Sequence, residues 1–206
     1  MPKQSMLKVN EVFCSIQGEG FWTGTPAVFI RLSGCNRKCS FCDTKHEEGE
    51  YLYVKDILEQ IPSNYKHVII TGGEPCLQGE GLIELVDAID HNQVMTHIET
   101  NGDFVDILRE LHTVYNVWIT VSPKSALPWE VYTIADELKF VIGGLVDLYF
   151  PANIKGMLEQ AKLKTPVFLQ PVSQDELATQ VCFEECLRYP DKFRLSLQMH
   201  KFINVP

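Results

Sequence analysis

Strand-like apolar segments and amphipathic helical segments alternate along the whole chain of 206 residues, and this alternation limits the choice of fold. Most strand-like segments are short and rich in β-branched or aromatic residues, without strict alternation, as expected for strands covered on both faces. The predicted strands are residues 27–32, 67–71, 95–99, 117–121, 138–142 and 166–170, with a weaker one at 193–197. The predicted helices are residues 54–61, 81–90, 104–111, 147–161 and 175–187, while 127–135 fits a short helix or a loop equally well.

This order of elements predicts right-handed crossovers and a parallel α/β sheet in a single domain, residues 1–206. About six parallel strands are too few for a closed eight-stranded barrel, so we expect a partial TIM-type barrel or an open sheet. In both architectures the functional groups lie at the carboxyl ends of the strands. Polar motifs follow the predicted strands at those ends, and we expect them to form one site: Ser33-Gly34-Cys35, Gly72-Gly73-Glu74-Pro75, Thr100-Asn101-Gly102, Ser122-Pro123-Lys124 and Pro171-Val172-Ser173.

The charge and the hydropathy pattern argue against several classes of partner. The formal net charge of −9 disfavours a surface that binds duplex nucleic acid, because phosphate binding needs clustered Lys and Arg. No run approaches the ~20 apolar residues that span a bilayer, and the first residues lack the apolar stretch of a signal peptide. We therefore expect a cytoplasmic protein with no membrane or nucleic-acid partner.

Three of the seven cysteines fall within eight consecutive positions, from Cys35 to Cys42, with the spacing C-x3-C-x2-C. An odd number of cysteines without a secretory signal favours metal binding or catalysis over a disulfide framework. Structural zinc normally takes four protein ligands, whereas three thiolates on a four-iron cluster leave one iron open to a small molecule. The alternative is a zinc site completed by His46 or Cys76.

The cysteine spacing is that of the radical S-adenosylmethionine (SAM) superfamily, and Gly72-Gly73-Glu74-Pro75 resembles the GGEP motif of the same superfamily. The resemblance implies a radical SAM core in which Cys35, Cys39 and Cys42 hold a [4Fe-4S] cluster within the loop 33–44. It further implies that SAM chelates the fourth iron and is cleaved by one electron to a 5′-deoxyadenosyl radical. Arg37 and Lys38, between the ligands, either lessen the negative charge of the cluster or are solvated loop residues.

Further motifs resemble one family of that superfamily, 7-carboxy-7-deazaguanine synthase. They spread over nearly the whole chain: Ser15-Ile16-Gln17-Gly18-Glu19-Gly20, Gly24-Thr25-Pro26-Ala27, Phe29-Ile30-Arg31-Leu32, Cys42-Asp43-Thr44, Glu99-Thr100-Asn101-Gly102, Ser122-Pro123-Lys124, Gln170-Pro171-Val172-Ser173 and Gln198-Met199-His200-Lys201. The resemblance implies a carbon–nitrogen lyase of queuosine or another deazapurine pathway. Such an enzyme converts 6-carboxy-5,6,7,8-tetrahydropterin into 7-carboxy-7-deazaguanine with loss of ammonia, regenerating SAM and using Mg²⁺.

The same resemblance implies roles for individual residues. The SAM site would be lined by Phe41, Cys42, Asp43, Gly73, Glu74, Ser122, Pro123, Lys124, Gln170, Pro171, Val172 and Ser173. The pterin would be held by Ile16, Gln17, Gly18, Arg31, Thr71 and Pro206, and Thr44 would offer its hydroxyl to Mg²⁺, which prefers oxygen ligands. The residue chemistry agrees, since Gln17 suits a pyrimidine edge and the planar fork of Arg31 suits a carboxylate. A surface loop is the alternative for Gln17, and a structural ion pair is the alternative for Arg31.

Two rival functions remain. A radical SAM activase, which generates a glycyl radical on a partner protein, would lack the Gln-Gly-Glu-Gly block and the pterin pocket. A non-catalytic zinc-binding module would be colourless, whereas an iron–sulfur protein is brown. For the synthase, the resemblance implies a homodimer and a reductant such as flavodoxin or ferredoxin. Pro206 is either a site residue through its carboxylate, as in the family, or part of a frayed tail.

Overall fold

Nine strands form the central sheet in the computed structural model, which describes residues 5–92, 94–143 and 165–206. The strands are β1 Met6–Ile16, β2 Pro26–Leu32, β3 Glu50–Tyr53, β4 His67–Gly72, β5 Met95–Thr100, β6 Val117–Val121, β7 Glu137–Ile142, β8 Val167–Pro171 and β9 Phe193–Leu195. The helices are α1 Val54–Leu58, α2 Gly79–Asp90, α3 Val105–Val114, α4 Trp129–Ile134, α5 Glu176–Arg188 and α6 Met199–Ile203.

The sheet runs in the order β3-β1-β2-β4-β5-β6-β7-β8-β9. The pairings from β2 through to β9 are all parallel, which confirms the predicted parallel core, including its weaker last strand. The antiparallel extension of β1 and β3 was not predicted. A register shift between Val9 and Glu11 breaks the alternation along β1, and β3 is a short, largely exposed edge strand, so neither carries a clear periodic pattern.

The helical predictions are confirmed wherever the structure describes them. Helices α1, α2, α3 and α5 match the predicted segments, and α4 begins directly after Pro128, in the segment that fitted a helix or a loop. The predicted helix at 147–161 lies outside the described residues. The short helix α6 was not predicted. In the described part of the chain, no helix has the length and apolarity needed to cross a bilayer.

Alternate residues of the parallel strands face two different environments. One set packs under the helices in the main hydrophobic core, and Ile30, Ile70, Ile98 and Leu138 of this set are fully buried. The other set lines a cavity on the concave face of the sheet. The carboxyl ends of the strands and the loops that follow them surround this cavity, so the fold brings the polar motifs of the sequence to one place.

The connection between β1 and β2 closes the concave face. The backbone N–H of Gly20 donates to Ser196 Oγ at 2.9 Å, and the N–H of Phe21 donates to Glu137 Oε2 at 2.8 Å. The rings of Phe21 and Trp22 pack against Trp118 at centroid distances of 5.1 and 5.5 Å. A loop that leaves β1 thus reaches β6, β7 and the residue after β9, which requires a sheet curled into an incomplete barrel.

Candidate active site

A cavity of about 610 Å³ occupies the concave face, and most of the residues predicted to form a site line it. The lining includes the three thiols of the cysteine loop, the Gly72-Gly73 turn, and polar side chains from β2, β4, β5, β6, β7 and β8. Of the residues predicted for the site, it includes Ile16, Gln17, Gly18, Arg31, Cys35, Cys39, Phe41, Cys42, Asp43, Thr44, Thr71, Gly73, Ser122, Lys124, Gln170, Pro171, Val172, Ser173 and Pro206. Glu74 and Pro123 are not among the lining residues.

The cysteine loop presents three free thiols to the cavity, as a cluster with one open iron requires. The Sγ of Cys35 accepts the backbone N–H of Arg37 at 3.4 Å. Burial raises the pKa of the Cys35 thiol, and the nearby Glu74, Cys39 and Cys42 raise it further. Gly73 lies against this loop, and a Cβ there would overlap the carbonyl oxygen of Gly34 and stand 3.0 Å from Cys35 Cβ. The donor set and the bare backbone fit an iron–sulfur cluster.

Of the two fourth ligands considered for a zinc site, Cys76 lies in the hydrophobic core, whereas His46 has a buried Nδ1 with no hydrogen-bond partner among the described residues and remains available. Cys76 is 1% exposed and belongs to the hydrophobic core, where its thiol lies 3.7 Å from Thr100 Oγ1. His46 lines the cavity, and its backbone oxygen accepts the N–H of Gly34 at 2.7 Å.

Glu74 is fully buried beneath the cavity instead of facing it. Its carboxylate accepts hydrogen bonds from the Cys76 N–H at 3.0 Å, the Thr100 hydroxyl at 2.7 Å and the Asn101 N–H at 2.7 Å. Burial raises the pKa of Glu74 despite these donors. The side chain therefore joins the turn after β4 to the turn after β5, and the part of this motif that reaches the cavity is the glycine backbone.

A buried charge cluster, formed by Lys139, Glu19 and Glu99, lies in the wall of the cavity and was not predicted. Lys139 forms an ion pair with Glu19, with side-chain exposures of 7% and 13%, and its Nζ is 3.9 Å from Glu99 Oε1. Burial alone would raise the pKa of Glu19, but the charge and hydrogen bond of Lys139 hold it below the usual value. Burial would lower the pKa of Lys139, but the charges of Glu19 and Glu99 raise it, so the Lys139–Glu19 pair stays charged.

Two predicted pterin residues are bound to this buried charge cluster. Gln17 Nε2 donates to Glu99 Oε1 at 2.9 Å, and Thr71 Oγ1 donates to Glu99 Oε2 at 2.9 Å. The sequence indicates the buried charge cluster only through two charged residues inside apolar strands, at positions 99 and 139. Their partner in the loop at position 19 is 120 residues from Lys139, so the pairing is not readable from local pattern.

On the opposite wall, Lys124 extends from the loop after β6 towards the cysteine loop. Its Nζ donates to Ser122 Oγ at 2.7 Å and lies 5.8 Å from the centre of the Phe41 ring. Burial lowers the pKa of Lys124, and the charge of Lys139 lowers it further. Ser173 in the turn after β8 adopts a left-handed conformation with φ of 45°, which turns the chain sharply at the cavity edge.

The C-terminal segment completes the rim, with contacts that were not predicted for Gln198 and Lys201. Lys201 Nζ lies 2.5 Å from Asp43 Oδ2, and Gln198 Nε2 donates to Glu19 Oε1 at 2.8 Å. Burial would raise the pKa of Asp43, but the hydrogen bond and charge of Lys201 lower it. The carbonyl oxygen of Pro206 accepts the hydroxyl of Ser15 at 2.7 Å, which holds Pro206 against β1.

Arg31 lines the cavity, and it also forms the structural ion pair that was the alternative interpretation of this residue. Its Nε donates to Glu11 Oε1 at 2.7 Å, and its guanidinium carbon lies 5.4 Å from the centre of the Phe13 ring. Thr44 Oγ1 is 3.4 Å from Asp43 Oδ1, which places two oxygen groups together beside the cysteine loop.

Comparison with known proteins finds relatives that match nearly the whole chain. The sequence model of the radical SAM superfamily matches residues 29–129. The 7-carboxy-7-deazaguanine synthase of Escherichia coli strain K12 is 34% identical over 228 residues, which cover 96% of this chain and 98% of that protein. The protein of the same name from Bacteroides thetaiotaomicron is 41% identical over 205 residues, which cover 97% of this chain and 99% of that protein.

Solved structures extend the likeness to three dimensions. The crystal structure of QueE from Escherichia coli matches with a TM-score of 0.73 and 32% identity, and the match covers 95% of each chain. SuiB of Streptococcus suis, solved with S-adenosylmethionine, has a TM-score of 0.56 at 15% identity over 78% of this chain and 48% of that one, which shows a common fold.

Proposed function

The chain belongs to the 7-carboxy-7-deazaguanine synthase family of radical SAM enzymes, and we propose that it converts 6-carboxy-5,6,7,8-tetrahydropterin into 7-carboxy-7-deazaguanine with loss of ammonia. The observation that carries this proposal is a single cavity with three thiols in one wall and buried charges in another. Thiolate ligands for an iron–sulfur cluster and polar groups that can bind a heterocyclic substrate therefore line the same cavity.

The cofactors are assigned to the side of the cavity that carries the cysteine loop. Cys35, Cys39 and Cys42 would hold the [4Fe-4S] cluster, which together with SAM supplies a 5′-deoxyadenosyl radical for hydrogen abstraction. The bare backbone of Gly73 allows the backbone of Gly34 and Cys35 to approach closely, which places the cysteine loop beside the turn after β4. We assign the remaining SAM contacts to the residues that share this wall: Phe41, Cys42, Asp43, Ser122, Lys124, Gln170, Pro171, Val172 and Ser173. Glu74 would position the Gly73 backbone from beneath the cavity. Pro123 would contribute to the SAM site by positioning Ser122 and Lys124.

The pterin is assigned to the wall formed by β2, β4, β5 and the connection after β1. Gln17 and the backbone of Ile16 and Gly18 would bind its pyrimidine edge, with Thr71 beside them. The carboxylate of the substrate would pair with Arg31, whose two terminal nitrogens are not used by the Nε contact to Glu11. Pro206 reaches the same cavity, and Thr44 would provide a hydroxyl for Mg²⁺ beside the Asp43 carboxylate.

The chain's own residues then hold the substrate still in the cavity. The charges of Lys139, Glu19 and Glu99 are fixed in advance by each other, so substrate binding does not have to order them. The rings of Trp22 and Trp118 pack edge to face at a centroid distance of 5.5 Å, which fixes the connection after β1 against β6. Holding a reactive carbon at one distance from a radical source is the main contribution a protein makes to such a reaction.

Several further properties belong to the same proposal. Residues 1–206 would act as one radical SAM core domain in the cytoplasm, working on a small molecule and on neither nucleic acid nor membrane. A flavodoxin or ferredoxin would supply the electron, and the active form would be a homodimer.

The test is anaerobic reconstitution followed by mass spectrometry. Wild-type protein supplied with SAM, dithionite, Mg²⁺ and 6-carboxytetrahydropterin is expected to give 7-carboxy-7-deazaguanine, and Cys39→Ala is expected to give none. Formation of 5′-deoxyadenosine without that product would keep the superfamily and overturn the substrate, in favour of a glycyl-radical activase or another reaction. A colourless protein that binds zinc and does not cleave SAM would overturn the enzyme altogether.

A further inference from the structure

The cysteine loop contains a basic residue whose partners link the loop to two strand ends. Arg37 stands between Cys35 and Cys39, and its guanidinium binds Asp103 at two points, with Nε to Oδ2 at 2.7 Å and Nη2 to Oδ1 at 2.6 Å. The same Nη2 donates to Ser125 Oγ at 2.7 Å. One side chain therefore ties the loop to the turn after β5 and to the loop after β6.

The contact continues from Asp103 into the core. Asn36 Nδ2 donates to Asp103 Oδ2 at 2.7 Å, and Asn101 Nδ2 donates to Asn36 Oδ1 at 2.9 Å. The Asp103 N–H in turn donates to Asn101 Oδ1 at 3.0 Å. Because the N–H of Asn101 binds the buried carboxylate of Glu74, a continuous line of hydrogen bonds runs from the core to the cysteine loop.

We propose that Arg37 and Asp103 form a positioning clamp that holds the cysteine loop in its cluster-binding conformation and keeps the charge beside the cluster balanced. The proposal rests on the proposed function, because it takes the three cysteines as cluster ligands. Residues 33–49 contain no helix or strand, so the loop depends on side-chain contacts and a few backbone bonds for its shape. The clamp acts at the centre of the C-x3-C segment, where the backbone N–H of Arg37 also reaches Cys35 Sγ.

Lys38 provides a matched comparison within the same loop. It carries the same charge one residue further along, but it is exposed to solvent. A loop that needs only nearby positive charge would depend equally on both residues, whereas a clamp depends on Arg37 alone. A planar fork bound at two points also distinguishes Arg37 from a lysine at the same position.

The first experiment measures how fast the reconstituted cluster is lost to an iron chelator, followed by the decay of its visible absorbance under anaerobic conditions. Arg37→Ala and Asp103→Ala are each expected to lose the cluster about tenfold faster than wild type, as is typical when residues that support metal ligands are removed. The double variant is expected to be no worse than either single variant, because both remove the same contact. Lys38→Ala is expected to stay within about twofold of wild type.

The second experiment measures the midpoint potential of the cluster. The Asp103 and Arg37 variants are expected to shift this potential in opposite directions, which a loosened fold alone would not do. Asp103→Asn leaves the guanidinium uncompensated, and this favours the more negative reduced cluster, so the potential is expected to rise. Arg37→Gln leaves the carboxylate uncompensated, and the potential is expected to fall. Arg37→Lys keeps the charge without the two-point contact, so its potential is expected to match wild type while its cluster is lost faster.

Thermal melting of the cluster-free proteins distinguishes loss of the clamp from destabilisation of the whole fold. The Asn, Gln and Lys variants replace any Ala variant that does not fold. Loss rates and potentials that all match those of Lys38→Ala, with a normal wild-type cluster, would overturn the clamp and leave the proposed function standing. A wild-type protein that takes up no iron would overturn the proposed function, and the clamp with it.

Discussion

The two faces of the same parallel strands carry different kinds of residue and perform different tasks. On the helix-covered face, Ile98 of β5 and Leu138 of β7 are fully buried among apolar neighbours. The next residue along each strand, Glu99 and Lys139, faces the cavity and is charged. The comparison teaches that one face of the sheet stabilises the fold through apolar burial, whereas the other gives up apolar burial to keep a polar site.

The two faces also tolerate change for different reasons. When an apolar side chain is truncated in the core, the free energy of unfolding falls in proportion to the volume removed, and the structural change is confined to the neighbours of that side chain. A buried charge is stable only while its partners remain, because desolvation is costly once the pairing is broken.

Replacing Lys139 with Met should be the most damaging single change on the cavity face. It leaves Glu19 and Glu99 buried without their cation, and removing one partner of a buried pair typically costs about 3–5 kcal/mol of the free energy of unfolding. Urea unfolding of the cluster-free protein measures this loss. The exposed Lys66→Met is the control, with an expected change below about 0.5 kcal/mol. A Lys139→Met loss no larger than that of Lys66→Met would mean that the charges are solvated.

Ile98→Ala tests the helix-covered face of the neighbouring strand. Ile98 is fully buried in the main core, so the truncation is expected to lower the free energy of unfolding by about 3 kcal/mol through lost burial and a cavity. Measured well below its melting temperature, the variant is expected to keep kcat/KM within about twofold of wild type. Ile98→Val, which removes a single methyl group, should cost about 1 kcal/mol. A tenfold fall in kcat/KM for Ile98→Val would show that the two faces are not independent.

The buried His97 of β5 predicts that the stability of the fold depends on pH. Burial, aided by the charge of His67 at a ring nitrogen distance of 2.9 Å, lowers the pKa of His97 to about 4. The unfolded chain, with a histidine pKa near 6.5, therefore binds more protons than the folded chain between about pH 6.5 and pH 4, and stability falls as the pH is lowered through this window. His97→Gln removes this contribution.

Between pH 8 and pH 5, wild type is expected to lose about 2 kcal/mol more of its free energy of unfolding than His97→Gln. Urea titrations at both pH values measure the difference. The other titratable groups are common to both proteins and cancel in the comparison, apart from His67, which loses its ring partner in His97→Gln. Equal losses in the two proteins would mean that His97 titrates normally on the folded chain.

The sequence predicts the fold better than it predicts the site. The parallel strands are confirmed because each has a local apolar pattern, whereas β1 was missed because the irregularity between Val9 and Glu11 disrupts that pattern. The residues of the cavity rim were identified by their place at strand ends and by family resemblance. The pairs Lys139–Glu19 and Arg37–Asp103 join residues that are 120 and 66 positions apart, and no local pattern encodes such pairings.

Thr71 and Ile70 are neighbours on β4 and face opposite sides of the sheet, so Thr71→Val and Ile70→Val test the difference between the two faces most directly. The measurement is kcat/KM for 7-carboxy-7-deazaguanine formation in folded, cluster-loaded protein. Thr71 lines the cavity and binds Glu99, so its variant is expected to lose about tenfold, the equivalent of one hydrogen bond. Ile70 lies in the main core, so its variant is expected to stay within about twofold of wild type while losing about 1 kcal/mol of stability. An unchanged kcat/KM in Thr71→Val, or an equal loss of kcat/KM in both variants, would contradict the assignment of the site to one face of the sheet and of stability to the other.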